Sequence, residues 1–282
     1  MSNNMRMLID NLWDTATLSV AAGTEVSSLP VANSQIYGRS KTAAITPDGA
    51  GNSQFTFELG SLQLIDGLVL YRHWLSDLAT WRVELFDGTE LTGTRVYDSD
   101  TVPAVATKTL GELNWLVDTL VVSVFGNWPF KFSQCWMPPT FARSGRITIS
   151  DTDARDGLHE FDRVFLGRSF QPTFNFSYGH QHQWLSAEAQ RVTAAQSVFS
   201  TARPRHRRVA FSLDYLSEQE RPHMSEAIRS VGITKDFFIS MFPETGGRNE
   251  IEYAMSAKFV GNPALSGNFF NNFTAPIEVR EA

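Results

Sequence analysis

Histidine, carboxylate, cysteine and arginine side chains are where chemistry would begin, and each grouping of them in this chain points to a definite ligand or reaction. His180 and His182 stand two apart, which puts both imidazoles on one side of a strand, as a metal site requires. No third ligand accompanies them, so the pair reads as ordinary strand residues and no metal is expected. Asp151, Asp153 and Asp156 imitate the start of a calcium loop, whose closing Glu would fall at Asp162. Asp with Gly157 is equally the composition of a solvated turn, and the turn is the preferred reading. Cys135 is the single cysteine, so disulfides within the chain and thiolate clusters are excluded, and beside Trp136 it is expected to be a buried thiol. The chain has no Gly-x-Ser-x-Gly elbow, no Gly-x-x-x-x-Gly-Lys and no Gly-x-Gly-x-x-Gly. A glycosidase pair of carboxylates is defined by separation in space, and no pair stands out. The chain is expected not to be an enzyme and to need no cofactor.

Binding chemistry is better represented. Arg203, Arg205, Arg207 and Arg208 make the one basic cluster, four arginines in six residues, a local field suited to an acidic partner surface. The competing reading is the solvated entry to a strand. Tyr37, Trp74 and Trp128 lie at expected loops or strand ends beside Gly38-Arg39, Arg72-His73 and Asn127. An aromatic ring offers area and its polar neighbours offer hydrogen bonds, the combination that sugar and protein recognition use. Tyr37, Arg72, His73, Trp74 and Trp128 are therefore the candidate glycan or protein contacts, against the commoner alternative of rings packed under a loop.

The whole chain bounds these readings. It has 282 residues, 42% of them hydrophobic, with 21 Phe, 7 Trp and 6 Tyr, enough apolar material for a core and against global disorder. Its length makes two domains the prior. A net charge of −6 argues against a nucleic-acid binder. The longest apolar stretch, Leu116 to Phe125, is interrupted by Asp118, Thr119 and Ser123, so membrane insertion is not expected. The first ten residues lack the apolar run of a secretory signal, and folding in a cytoplasm is the expectation.

The positioning elements read as strands first. Gln54 to Gly60 alternates, with Phe55, Phe57 and Leu59 on one face. Separate short strands follow at Leu68–Tyr71, Trp81–Phe86, Leu120–Phe125 and Arg146–Ile149, and Asp87-Gly88 signals a tight turn. Helix signals are nearly absent up to Gly167, which favours a two-sheet antiparallel sandwich. Beyond it come aromatic residues at 170–178, a strand Val209–Leu213, and a capping box at Ser217 and Glu220 before Met224, Ala227, Ile228 and Val231 at helical spacing, with Gly232 as the stop. Closing strands are expected at Phe237–Phe242 and Glu250–Val260. The fold class is mainly β: a sandwich over 1–167, then a smaller α+β domain over 168–282 with one main helix.

Leu8-Ile9-Asp10-Asn11, Ser28 to Asn33, Phe55 to Gly60, Tyr71 to Ser76 and Arg163 to Gly167 together resemble a galactose-binding-like, discoidin-type jelly roll. Followed by a strand-helix-strand domain ending in Pro276 to Glu281, the chain resembles distal-tail or baseplate proteins from the tail tip of long-tailed bacteriophages. That resemblance implies a virion protein without a cofactor, folded in the host cytoplasm, forming a ring homo-oligomer around the tail axis and contacting other tail proteins. The alternative kept beside it is a carbohydrate-binding module contacting host surface glycans, with neither nucleic acid nor membrane insertion in either case.

Overall fold

The alternating run that begins at Gln54 belongs to one 22-residue strand, Asn52–His73, which absorbs the separately expected Leu68–Tyr71. Its partner is the 20-residue strand Lys131–Ser150, antiparallel along nearly its whole length. The register shifts between Glu58 and Gln63, and residues 60–62 are exposed, so both long strands bend there and serve two layers. The computed structural model describes residues 4–38, 40–105, 128, 130–244 and 247–282; the expected strand Leu120–Phe125 lies outside them.

Contacts divide the chain into two units, Met1–Gln171 with Asp236–Ser256, and Pro172–Lys235 with Ala257–Ala282. The division is therefore not the single cut near 167 that the sequence suggests. Strand Phe237–Ser240 pairs with Arg6–Leu8, a long-range partnership that no local composition announces.

In the first unit, one layer joins the first half of Asn52–His73 and the second half of Lys131–Ser150 to Thr17–Ala22 and Thr80–Phe86. The other joins the second half of Asn52–His73 and the first half of Lys131–Ser150 to His159–Gly167 and, through it, Ala43–Thr46. Between them Phe55 stacks on Phe161 at 5.1 Å, and Trp13 meets Phe57 at 5.3 Å while donating its indole N–H to Ser34 Oγ at 2.9 Å. Phe57, Leu68, Leu70, Trp81, Val83, Ile147 and Leu166 fill the same core. This is an antiparallel β-sandwich, and burying side chains such as these stabilises it by about 1.5–3 kcal/mol each.

The second layer is covered on both faces. Its outer side, with Val69, Tyr71, Phe132 and Phe165, packs against Leu8, Phe238 and Ile251. Double burial explains why Leu68 to Tyr71 and Val164 to Leu166 read as continuous apolar runs while Gln54 to Leu59 alternates. Asp87-Gly88 does not make a two-residue turn. Thr94 N–H donates to Asp87 Oδ1 at 2.7 Å, and the loop closes through Glu90, Leu91 and Gly93 at positive φ.

In the second unit Arg205–Leu216 runs between Gln181–Ser186 and Asn272–Glu281. The expected helix is Glu220–Val231, with Met224, Ala227 and Val231 buried. Ser217 and Glu220 form the reciprocal box: Glu220 N–H donates to Ser217 Oγ at 3.3 Å, and Ser217 N–H donates to Glu220 Oε2 at 2.9 Å. In the returning segment of the first unit, Glu250 to Glu252, expected as strand, lies in the short helix Gly247–Glu252, and the strand Ala254–Phe259 follows it. A separate hairpin, Ala189–Val192 with Val198–Thr201, completes the second unit. The chain is mainly β, with two α-helices among the described residues.

Candidate functional site

Arg72 occupies a bulge. Tyr71 stands opposite Phe132 and His73 opposite Lys131, leaving Arg72 as the extra residue with φ at +54°. A non-glycine residue held in the left-handed region is a strain that the surrounding structure must impose. Here the side chain is fixed at three points. Its guanidinium lies 5.2 Å from the Phe130 ring and 6.0 Å from the Trp74 ring, and its Nε sits 3.2 Å from Asp162 Oδ2. Asp162 is in turn held by Thr42, whose hydroxyl donates to Oδ1 at 2.7 Å. The terminal nitrogens of Arg72 make no hydrogen bond among the described residues, so a positioned fork of donors flanked by aromatic rings is left available.

Other residues expected at this tip fall elsewhere. His73 alternates away from Arg72 and is fully buried, which removes it from any surface contact. Its Nδ1 accepts from Leu75 N–H at 3.4 Å, and its Nε2 lies 2.8 Å from Ser133 Oγ, whose own proton goes to the Ala104 carbonyl. That geometry requires the neutral ring with its proton on Nε2. Burial, assisted by Lys131, pushes the pKa down to about 3. Trp74 is half-buried, and Trp128 packs partly against the outer cluster of the second layer. Tyr37 is 54% exposed. Asp162, Thr42 and Phe130 were missed as members of the tip, since nothing in their spacing links them to Arg72.

The arginine cluster is divided by strand alternation. Arg207 shares the face of Val209, Phe211 and Leu213 and is fully buried, its Nη2 donating to Glu281 Oε1 at 3.0 Å. It is thereby withdrawn from the expected partner surface. Arg208 points the other way and pairs with Glu278. Arg205 pairs with Glu188 at 3.2 Å, and Arg203 is exposed. Every residue from 187 to 205 is exposed, including the whole hairpin, where Val192, Val198 and Phe199 show 67%, 58% and 65% of their surface. Charge is unevenly shared as well. The first unit carries 14 Lys and Arg against 23 Asp and Glu, a net −9, and the second carries 10 against 7, a net +3.

The groups that suggested chemistry are otherwise engaged. Asp151 accepts Ser76 N–H and Oγ–H, both at 2.7 Å, and orders its own turn. Among the described residues no group of three or more His, Cys, Asp or Glu could hold a metal. Ser53 Oγ lies 2.7 Å from His159 Nδ1, but both are fully buried and the other ring nitrogen faces the Asp151 carbonyl at 3.2 Å. Cys135 is buried beside the Tyr97 hydroxyl, and burial pushes its thiol pKa up, which keeps it protonated.

No family model matches the chain, and no curated protein matches it in sequence. Among solved structures, it is similar to a chitosan-binding module from a chitosanase/glucanase of Paenibacillus sp. IK-5, at 11% identity and a TM-score of 0.39, covering 56% of this chain and 99% of that one. A fucosidase of Ruminococcus gnavus in complex with fucose has 15% identity and a TM-score of 0.39, with 57% of this chain and 27% of the fucosidase covered. A fucose-binding module of Streptococcus pneumoniae has 10% identity and a TM-score of 0.37, with 56% and 95% covered. The sandwich itself is defined by its own strand register.

Proposed function

We propose that the chain is a structural, non-enzymatic protein of a bacteriophage tail tip, assembling with further copies of itself around the tail axis and joining other tail proteins. In this reading the first unit contains a galactose-binding-like jelly roll and the second supplies the assembly surface. The observation that carries it is the hairpin Ala189–Val192 with Val198–Thr201, exposed along its full length. A lone two-stranded hairpin is marginal in water, and exposed Val192, Val198 and Phe199 gain only when something covers them. A net −9 on one unit and +3 on the other favours a head-to-tail contact, the kind that closes into rings. The sequence segments quoted above supply the phage assignment and, with it, the virion location.

Light scattering of the purified chain across a concentration series tests this reading. A closed ring is expected, and Phe199→Lys or joint reversal of Arg203 and Arg205 to Glu should leave a folded monomer. A wild-type chain that stays monomeric at every concentration, or a Phe199→Lys ring as stable as the wild type, would count against self-assembly.

A second reading, a carbohydrate-binding module for host surface glycans, is favoured by the strained Arg72 and its unspent donors between Trp74 and Phe130. Arg72→Ala should then abolish retention on immobilised glycans, and unchanged retention would remove the tip from consideration.

A further inference from the structure

The outer face of the first layer carries a polar cleft of which Arg72 is not a lining residue. Three adjacent strands set its floor: Gln54 stands opposite Thr148, and Thr148 opposite Arg82. In the neighbouring row Arg146 stands opposite Glu84, and Thr101 lines the same cleft. Trp81 faces away into the core with 2% of its surface exposed, so no ring is offered for an apolar ligand to lie on.

The guanidinium groups are fixed before any ligand arrives. Arg82 is forked on Asp98, Nε to Oδ1 at 2.8 Å and Nη2 to Oδ2 at 2.5 Å. Arg146 donates from Nε and Nη2 to Glu84 Oε2 at 2.8 and 2.5 Å, while Arg95 reaches Oε1 of the same buried carboxylate at 3.1 Å. Because these long side chains are already ordered, binding would not bear the entropy of immobilising them. Asp100 also acts on Arg82, so the two arginines and one carboxylate of the lining belong to a cluster in which Arg82, Arg95 and Arg146 are matched by Glu84, Asp98 and Asp100. Gln54, Thr101 and Thr148 spend no side-chain hydrogen bond among the described residues, and each can both donate and accept.

We infer that this cleft binds a neutral saccharide, held by hydrogen bonds from Gln54, Arg82, Arg146 and Thr148. Groups that donate and accept in turn match the hydroxyls of a sugar, whereas an anion would meet arginines already paired with carboxylates, and the Glu84 carboxylate itself. The inference stands apart from the assembly reading, and it differs from the glycan reading in the residues that would do the binding.

Calorimetry with the full chain tests it, using neutral gluco-, manno- and galacto-oligosaccharides beside a uronic-acid oligosaccharide. The expected result is binding of a neutral sugar that weakens tenfold or more in Gln54→Ala/Thr148→Val, with the melting temperature held and Arg72→Ala binding as the wild type does. Should the double variant fold poorly, the isosteric Thr148→Val alone carries the comparison. The inference is overturned if no neutral sugar binds the wild type, if the cleft variants bind equally, or if the uronic acid is preferred. Loss in Arg72→Ala alone also overturns it and assigns the sugar to the strand-end tip.

Discussion

Arg163 and Asp236 form a two-pronged ion pair inside the first unit, Nε to Oδ2 and Nη2 to Oδ1 both at 2.9 Å, across 73 positions of sequence. The same guanidinium reaches Asp14 Oδ1 and Oδ2 at 2.6 and 2.9 Å and the Ser34 carbonyl at 3.2 Å, so all five of its donors are used. Strand His159–Gly167 is thereby tied to the start of the returning segment 236–256.

Removing one partner of that pair should be costly, because the other charge is left buried. Asp236→Ala is expected to lose about 3–5 kcal/mol in urea unfolding. Asp14→Ala should cost distinctly less, since its side chain is 39% exposed and water can replace it. Equal losses at the two positions would sink the argument.

Stability should fall on mild acidification. The folded pKa of His73 is about 3 against an ordinary 6.5, and burial lowers that of His159 as well. A depressed value means the contribution is complete above about 6.5 and is lost as pH falls toward the folded value, at about 1.4 kcal/mol per pH unit for His73, with His159 acting in the same direction. Asp98, which hydrogen-bonding to Arg82 holds down to about 2, loses its contribution only below about 3.8, and burial raises the pKa of Asp66, whose protonation works in the opposite direction to that of His73. The melting temperature is expected to drop from about pH 6.5 to about pH 4, and His73→Gln should flatten the profile. A flat wild-type profile would falsify this account of His73.

The helix Glu220–Val231 depends on its cap. Ser217→Ala removes the acceptor of Glu220 N–H and a donor to Glu220 Oε2, and should cost about 1 kcal/mol in chemical denaturation. Ser217→Asp keeps an acceptor but sets it against the Glu220 carboxylate, so it should restore only part of that loss. Full stability in Ser217→Ala would show that the cap contributes nothing.

Gly145 has no room for a methyl group. A Cβ there would overlap the Phe57 ring and lie 2.9 Å from the Glu84 carbonyl oxygen. Gly145→Ala is therefore expected to destabilise by about 1–3 kcal/mol, whereas Gly60→Ala, whose Cβ meets nothing within 4 Å, should be close to neutral. Matching melting temperatures for the two variants would contradict the packing described here.

Local regularities were legible in the residues themselves. Alternation at Gln54 to Leu59 gave one buried face because side chains on a strand point to opposite sides in turn, whereas Arg207, expected on a partner surface, joins the side of Val209, Phe211 and Leu213 because the strand begins at Arg205 rather than Val209. The capping box at Ser217 and Glu220 was legible because both partners lie within one turn of chain. The mainly β class followed from the same short-range patterns.

What depends on distant partners was decided only by the tertiary structure. The bend that lets Asn52–His73 serve two layers shows itself in the register with Lys131–Ser150, and the return of 236–256 shows itself in the pairing with Arg6–Leu8. The Arg72 tip needs Asp162 and Phe130, and the polar cleft needs three strands brought level at Gln54, Thr148 and Arg82. Composition and spacing report how each segment meets its own neighbours along the chain, whereas a site assembled across strands is set by which strands pair and in what register.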